Sequence, residues 1–329
     1  MGRNLRYGIG SAIAAALLIA STASATPFSF STNGPDGKMA TASRPENGSQ
    51  FEIESADDFI AHTAVRINSA TFTGLVPSGA SVQNVVVEIY RVFPLDSTVP
   101  PSGHVPTRNN SPSDVAFDSR DSASNTLTFS TQLLAQSFTV LNSVTPGGIH
   151  PSPGQTTGGD GQQTGQEVEF DVTFTTPFLL PGDHYFFVPQ VQLSDDNTFL
   201  WLSAPRPIVA PGTPNNPDLQ SWTRDAFLDP DWLRVGMDIV GGTTPPAFNA
   251  VFSLEGEKVP EPATIELEAT GLLALGTLGA LRRRARRAAT GATPANARRY
   301  VQGTAPFQRL RKVVSDVGLR LLGPNEPCG

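Results

Sequence analysis

Cysteine is nearly absent from this chain of 329 residues, in which Cys328 is the only one. A single thiol close to the C-terminus excludes an internal disulfide framework and a zinc site built from thiolates in the preceding domain. Histidine is also scarce, and no two of the four have the spacing of a metalloprotease helix. The G-x-S-x-G turn of serine hydrolases is missing as well. The sequence therefore carries no catalytic motif, and we predict a non-enzymatic protein without a cofactor.

Charged residues make up only 16% of the chain, whereas glycine and proline number 30 and 29. Proline removes a backbone donor and glycine weakens helix interiors, so this composition is typical of a turn-rich protein. Residues 26–258 contain 25 acidic and 10 basic side chains, a net charge of −15, whereas residues 282–329 have a net charge of +9. An acidic domain repels nucleic-acid phosphates, so we predict no nucleic-acid partner.

The first 25 residues have the features of a secretory signal peptide. Arg3 and Arg6 precede the apolar run IGSAIAAALLIA, and Ala23 and Ala25 are the small residues of a cleavage site. The run is too short for an ordinary membrane span. We therefore expect the secretory translocon and signal peptidase as partners, and a mature chain that begins at Thr26. The alternative is an uncleaved anchor.

Residues 26–256 show the two-residue alternation of β-strands. In EVEFDVTFTT the apolar side chains share one face, and acidic and threonine side chains share the other; the apolar residues are Val168, Phe170, Val172 and Phe174. The same alternation places Leu127, Phe129, Thr131 and Leu133 on one face of NTLTFSTQLL, and it recurs in NVVVEIYRVF and AFNAVFSLEG. Further strands are predicted in AVRINSATFTGL, QSFTVL, HYFFVPQVQL, TFLWLSA and RVGMDIV.

These patterns predict about nine short strands with no amphipathic helix between them. Such strands, separated by glycine and proline turns, favour antiparallel sheets. We therefore predict an all-β fold for the exported domain, residues 26–256: an antiparallel, jelly-roll-like β-sandwich of two packed sheets. A closed barrel is the structural alternative.

Carboxylates cluster in the segments ESADDF, SDDN and RDAFLDPDW. Calcium takes six to eight oxygen ligands from acidic loops, but no strict D-x-D-x-D-G loop is present. We therefore interpret these residues as turn-forming and solubilising, with a structural calcium ion as the alternative. The residues concerned are Glu54, Asp57, Asp58, Asp195, Asp196, Asp225, Asp229 and Asp231.

Three tryptophans are candidates for core positions or for sugar contacts. Trp201, in FLWLSA, is expected in the core, and Trp222 and Trp232 are expected to cover an open end of the sandwich. Exposed indoles also stack on sugars, so these two residues are the site of the alternative, glycan-binding reading, with exopolysaccharide as the partner.

The stretch VPEPATIELEATGLLALGTLGALRRRARR combines three features near the C-terminus. Pro260, Glu261 and Pro262 form a triplet, an apolar run follows at residues 271–281, and five arginines come next, namely Arg282, Arg283, Arg284, Arg286 and Arg287. In this order the features resemble the PEP-CTERM sorting signal of Gram-negative bacteria. The resemblance implies that a membrane-embedded exosortase recognises the triplet, cleaves nearby and passes the protein onward to the envelope or the extracellular matrix.

The arginines act as topology determinants, because they resist crossing the membrane and hold that end in the cytoplasm. Residues 269–281 form a clean apolar run that gives about 20 Å of helix, against a hydrocarbon core of about 30 Å. Glu266 and Glu268 lie toward the outer end of a longer span. We expect residues 269–281 to form a single short transmembrane helix in the sorting segment, residues 257–287. An ordinary C-terminal anchor is the alternative.

Residues 288–329 form a basic tail that we expect to be flexible or to lie on the membrane surface, with an amphipathic helix near residues 307–322. The alternative is an artefact of a lost stop codon. The whole sequence thus predicts an exported envelope or matrix protein that is transiently anchored in the inner membrane and ends in the outer envelope or outside the cell. The two alternatives are a secreted glycan-binding module and a secreted hydrolase, which needs carboxylates or histidines converging in one cleft.

Overall fold

The computed structural model describes residues 26–95, 109–149, 156–205, 208–209, 213–214, 218–259 and 282. The chain divides into two units, Met1–Ala263 and Thr264–Gly329. The strands are β1 Thr26–Ser31, β2 Met39–Ala42, β3 Ile53–Ala61, β4 Val65–Val76, β5 Val82–Arg91, β6 Asp118–Asp121, β7 Leu127–Val140, β8 Asn142–Val144, β9 Gln163–Leu180, β10 Asp183–Leu193, β11 Leu200–Ala204, β12 Ile208–Val209, β13 Thr213–Pro214, β14 Trp222–Asp225, β15 Leu233–Arg234, β16 Asn249–Ala250 and β17 Phe252–Lys258. A 3₁₀ turn, Pro146–Gly148, and a π-helical turn, Val235–Val240, complete the list.

The strands form two sheets. The larger has the order β13-β12-β1-β17-β4-β11-β2-β8, with β9 paired to β4, β7 paired to β9 and β16 paired to β11. The smaller has the order β15-β14-β3-β10-β5-β6. The pairings are antiparallel except for the parallel pair of β2 and β8. The predicted all-β fold with two antiparallel sheets is confirmed at this level.

The main core lies between the two sheets and is rich in phenylalanine. Phe187 of the smaller sheet stacks on Phe252 of the larger sheet, with ring centroids 5.0 Å apart. Phe59 and Phe72 also contact aromatic rings of the opposite sheet. Aromatic pairs of this kind contribute about 0.5–1.5 kcal/mol beyond the area that they bury. Two facing sheets that share one core form a sandwich rather than the closed barrel of the alternative.

Alternation predicted the buried face correctly on the central strands and incorrectly on β7. Val168, Phe170, Val172 and Phe174 on β9 are all buried, as predicted. On β7, however, only the two terminal residues are buried, and Leu133 is 44% exposed. The smaller sheet does not cover this part of the larger sheet, so the prediction of a buried face on β7 is wrong beyond Phe129.

The segment RVGMDIV, predicted as a strand, forms a π-helical turn instead. Strand β15 ends at Arg234, whose backbone N–H and guanidinium both bond the Asp238 carboxylate, at 2.7 to 2.9 Å. This pairing closes a turn that an extended chain cannot make. Gly236 belongs to the same turn, where an added Cβ would lie 1.9 Å from the Pro246 carbonyl oxygen.

Within the part of the chain that the structure describes, no helix combines the length and the apolar composition that a membrane crossing requires. The expected transmembrane segment, residues 269–281, lies outside the described residues, as do the predicted signal peptide and the basic tail. These three assignments stay predictions.

Candidate functional site

The first and last strands of the β-rich unit are direct neighbours. Strands β1 and β17 pair antiparallel, with Thr26 opposite Lys258 and Ser31 opposite Ser253. Thr26 is the first residue after the predicted signal-peptide cleavage, and Lys258 is two residues before the triplet at Pro260. Opposed residues in such a pair lie about 5 Å apart. Both predicted processing points therefore adjoin the same end of one strand pair.

The end of β17 is firmly held. The strand lies between β1 and β4, and the backbone N–H of Val259 donates to the Ala64 carbonyl at 2.8 Å. At Gly256 the register against β4 shifts, and an added Cβ would lie 2.0 Å from the Arg66 carbonyl oxygen, so only glycine fits this bulge. The sorting segment thus starts from a fixed point at Val259.

Most of the predicted sorting residues lie outside the described residues. Arg282 is described, and it is helical and exposed. The others are Ala23 and Ala25 at the signal-peptide cleavage site, the triplet Pro260, Glu261 and Pro262, and the arginines Arg283, Arg284, Arg286 and Arg287.

The acidic run that was interpreted as turn-forming is a central strand. Strand β3 lies between β14 and β10, and its carboxylates Glu54, Asp57 and Asp58 are all buried. The interpretation of these three as turn-forming, solubilising residues is wrong, whereas the structural calcium ion stays an untested alternative. Strand geometry directs Glu54 and Asp58 to the outer face of the smaller sheet and Asp57 to the core. By contrast, Asp195 and Asp196 do occupy a turn with positive φ.

Asp57 points into the core and forms hydrogen bonds with two other segments of the chain. Its carboxylate accepts the Ala250 backbone N–H at 2.8 Å and the Ser221 hydroxyl at 3.3 Å. Burial, together with the charge of neighbouring Asp58, raises the pKa of Asp57 well above its usual range. The residue therefore joins β3 to β16 and to the segment that leads into β14.

Asp58 makes the corresponding contacts on the outer face. It accepts the Leu219 backbone N–H at 2.8 Å and lies 2.6 Å from Nε2 of His184. Burial raises the pKa of Asp58, and the hydrogen bond from His184 opposes this shift. The imidazole is thus paired with Asp58, and its neighbour Asp183 bonds only the His184 backbone N–H. Among the described hydrogen bonds none brings a serine or cysteine to His184, as a catalytic dyad would need.

Arg224 is the centre of a buried charge network beside this pair. The residue lies opposite Glu54 in the β14–β3 pairing, and its Nε donates to the Glu54 carboxylate. Its other nitrogens lie 3.1 Å from the Tyr90 hydroxyl and 3.0 Å from the Asp229 carboxylate, and its Cζ lies 4.5 Å from the Trp232 ring centroid. Burial alone would lower the pKa of Arg224, because it disfavours the charged guanidinium. The charges of Glu54 and Tyr90 have the larger combined effect, so the pKa of Arg224 is raised.

Two further carboxylates, Glu52 and Glu88, approach Glu54, and one oxygen from each of the three lies within 4.8 Å of the others. Burial, then the charge of Glu54, raises the pKa of Glu88 to about 8. Burial also raises the pKa of Glu52, which accepts a hydrogen bond from Gln190 at 2.9 Å. Such oxygens suit a hard cation. In this structure Arg224 and the Tyr90 hydroxyl donate to Glu54, and the Tyr90 hydroxyl also lies 3.1 Å from the Glu88 carboxylate.

Trp222 and Trp232 are buried in a small apolar cluster on the outer face of the smaller sheet. They are 1% and 0% exposed, and their indole N–H groups donate to the carbonyls of Leu219 and Ser113. A sugar platform requires an exposed ring face, so the assignment of these two residues to glycan binding is not supported. Both cover the smaller sheet.

A groove of about 360 Å³ lies beside Trp222. Its described lining residues include the amides of Asn109, Asn110 and Gln220 and the charged Asp218 and Arg234. Asp218 is the one carboxylate among them, and no histidine contributes. Of the histidines, only His62, which is exposed, and His184 fall within the described residues. The convergence of acids that the hydrolase alternative requires is therefore not found in this groove.

Comparison with known proteins identifies one segment. The family model of the PEP-CTERM protein-sorting motif matches residues 258–287, which include the triplet, the apolar run and the arginine cluster. The chain therefore carries this sorting motif, and the resemblance stated from the sequence is confirmed. The match begins at Lys258, the last residue of β17. No curated protein and no solved structure matches the chain.

Proposed function

We propose that this chain is a non-enzymatic structural protein of the cell envelope or extracellular matrix, delivered by exosortase processing at Pro260–Pro262. The sorting motif at residues 258–287 carries the proposal, because it implies export and an exosortase as the processing partner. Final location in the outer envelope or outside the cell follows from the same route.

The junction with the β domain supports access to the triplet. Val259 makes the last described backbone hydrogen bond of the strand. Pro260 and Pro262 have no backbone N–H, so they cannot extend the ladder with β4. Proline also keeps the residue before it extended. Cleavage within the triplet therefore breaks none of the described ladder hydrogen bonds between β17 and β4.

The pairing of Thr26 with Lys258 supports release of an intact domain. Signal peptidase and exosortase act at adjoining ends of one strand pair, so neither cut separates elements of the sheets. The described chain begins at Thr26 and pairs there with Lys258, so its entry and its exit lie at the same end of that pair. The acidic domain then lies outside, and the arginines hold the opposite end of the sorting segment inside.

The buried charges support a structural role. Glu54, Asp57, Asp58 and Arg224 bond backbone groups or each other, and this fixes β14, β16 and their connections to the smaller sheet. Groups that are satisfied in this way stabilise a unique arrangement, because an unpaired buried partner is costly.

The processing step is tested with Glu261→Ala in the full chain. Glu257→Ala is the matched control, because that glutamate precedes the triplet on β17 and makes only an exposed ion pair with Arg66. We expect the Glu261→Ala chain to accumulate unprocessed in the membrane fraction and the control to be processed like the wild type. Normal processing of Glu261→Ala, or equal loss in both variants, contradicts the proposal.

A further inference from the structure

Strand β7 is a long edge strand without a charge. It runs for 14 residues, LTFSTQLLAQSFTV, and pairs on one side with β9. No other strand of the described chain pairs with its second side. Residues 127–133 keep an uninterrupted register against β9, from Leu127 opposite Phe174 to Leu133 opposite Val168, and shifts occur only beyond Leu133. An open row of backbone donors and acceptors is a template for another strand.

The other sheet ends in the described part of the chain are protected. They are two to four residues long, and three of the five carry proline or charged side chains; these ends are β13 Thr213–Pro214, β8 Asn142–Val144, β16 Asn249–Ala250, β15 Leu233–Arg234 and β6 Asp118–Asp121. Short length, proline and charge are the usual means by which proteins prevent edge pairing. β7 has none of them, so it differs from the other ends in the properties that control association.

The face of β7 that continues the core is also uncovered. Leu127 is buried, Phe129 is half-buried, and Thr131 and Leu133 are exposed on the same face. Leu133 and the adjacent Leu134 are each 44% exposed. The larger sheet therefore extends beyond the smaller one and presents apolar side chains next to an open edge.

We propose that β7 pairs antiparallel with β7 of a second copy of this chain, so that the two larger sheets become one continuous sheet. A two-fold pair centred on Ser130 places Leu127 opposite the partner's Leu133. Both uncovered faces then lie on the same side of the joined sheet, where the two Leu133 side chains lose solvent exposure. The pairing extends the proposed structural role by supplying an assembly contact, but it does not depend on processing at Pro260–Pro262.

Charge favours a second copy as the occupant. The domain has a net charge of −15 over residues 26–258, so two copies repel each other except where the surface is neutral. The nearest acidic row, Glu167, Glu169 and Asp171, lies on β9, one strand in from the edge. In the joined sheet the two rows are three strand spacings apart, about 14 Å, beyond the Debye length of about 8 Å at physiological salt. An uncharged strand also offers nothing specific to a basic partner.

Cysteine crosslinking of the full-length chain tests the contact. Cys328→Ser removes the only native thiol, and Ser130→Cys or Ser119→Cys is then added. Both serines are exposed on edge strands, the first on β7 and the second on β6 of the other sheet. Under mild oxidation we expect a disulfide-linked dimer of the Ser130→Cys chain and a monomer of the Ser119→Cys chain. No dimer, equal dimer from both sites, or a crosslink to a different protein overturns the proposal.

A second pair of variants separates association from folding. Position 130 on β7 lies directly opposite Asp171 on β9, so the lysine of Ser130→Lys has an acidic neighbour within the monomer and should keep its fold. In the dimer, however, the substitution places two lysines opposite each other. Ser119→Lys changes the net charge equally at the other edge. In detergent, light scattering should give monomers of Ser130→Lys and dimers of Ser119→Lys and the wild type. A dimer of Ser130→Lys, or a wild-type monomer, contradicts the pairing. The readout holds whether or not the C-terminus is processed, so failure here leaves the proposed sorting route unaffected.

Discussion

Thr26 and Lys258 lie opposite each other at the end of the β1–β17 pair. The two residues are 232 positions apart in the sequence, yet they adjoin the two predicted cleavage points. Because β17 also pairs with β4, the position of Lys258 depends on the whole larger sheet. The two predicted cleavage points therefore adjoin one strand pair of the folded domain.

Gly256→Ala should weaken this junction. The new Cβ would overlap the Arg66 carbonyl oxygen, at 2.0 Å, and backbone cannot move aside as a side chain can. Overpacking of this kind costs about 1–3 kcal/mol. Urea unfolding of the processed protein, followed by tryptophan fluorescence, measures the loss, since all three tryptophans are buried. Gly34→Ala is the control, because nothing lies within 4 Å of its Cβ position, and it should leave stability unchanged.

Arg224→Met should be strongly destabilising. The substitution leaves the buried Glu54 carboxylate without its cation, and breaking a buried ion pair from one side costs about 3–5 kcal/mol. The same unfolding measurement applies. Arg66→Met is the control. Arg66 pairs with Glu257, and the two side chains are 48% and 40% exposed. Loss of this pair should therefore lower the free energy of unfolding by only about 0–1 kcal/mol. Similar losses in both variants would show that the network contributes no more than a surface pair.

Glu88 should make stability depend on pH between its ordinary pKa and its folded pKa of about 8. In this window the folded state binds a proton that the unfolded state has lost, so the free energy of unfolding falls as pH rises. The slope from one group is at most about 1.4 kcal/mol per pH unit. Glu88→Gln cannot ionise, so its stability relative to wild type should rise from pH 5 to pH 8 and then stay constant. A constant difference across this range contradicts the raised pKa.

Asp57→Ala should loosen the segment around β16. The Ala250 N–H, which donates to Asp57 at 2.8 Å, is left buried without an acceptor. An unsatisfied buried donor costs about 1–3 kcal/mol. Hydrogen exchange should become faster at the Ala250 amide. Asp171→Ala, at an exposed position on β9, should change exchange at neither Ala250 nor its neighbours.

Side-chain periodicity predicted the two-sheet architecture and the core face of β9, because one face of that strand meets the core and the other meets water. It did not identify β3, because Glu54, Asp57 and Asp58 break the apolar pattern while their partners come from distant segments. Nothing local in ESADDF indicates that Arg224, Ala250 and Leu219 satisfy these carboxylates. The signal that the sequence did contain is the unusual run of acids directly before Phe59.

The sorting motif could be found from the sequence, because its three features are consecutive and each has its own chemistry. The junction could not, since the pairing of Thr26 with Lys258 joins opposite ends of the domain. The exposed face of β7 was also unpredictable, because its apolar residues alternate as they do in a covered strand. Whether this face of β7 is buried depends on how far the smaller sheet extends, and a local sequence pattern does not indicate that.

Intact mass spectrometry of the protein recovered from exported and membrane fractions tests the central claim most directly. The account predicts an exported form that begins at Thr26 and ends near Glu261, and a membrane-bound precursor that retains the arginine cluster. An exported chain that still ends at Gly329 would contradict it.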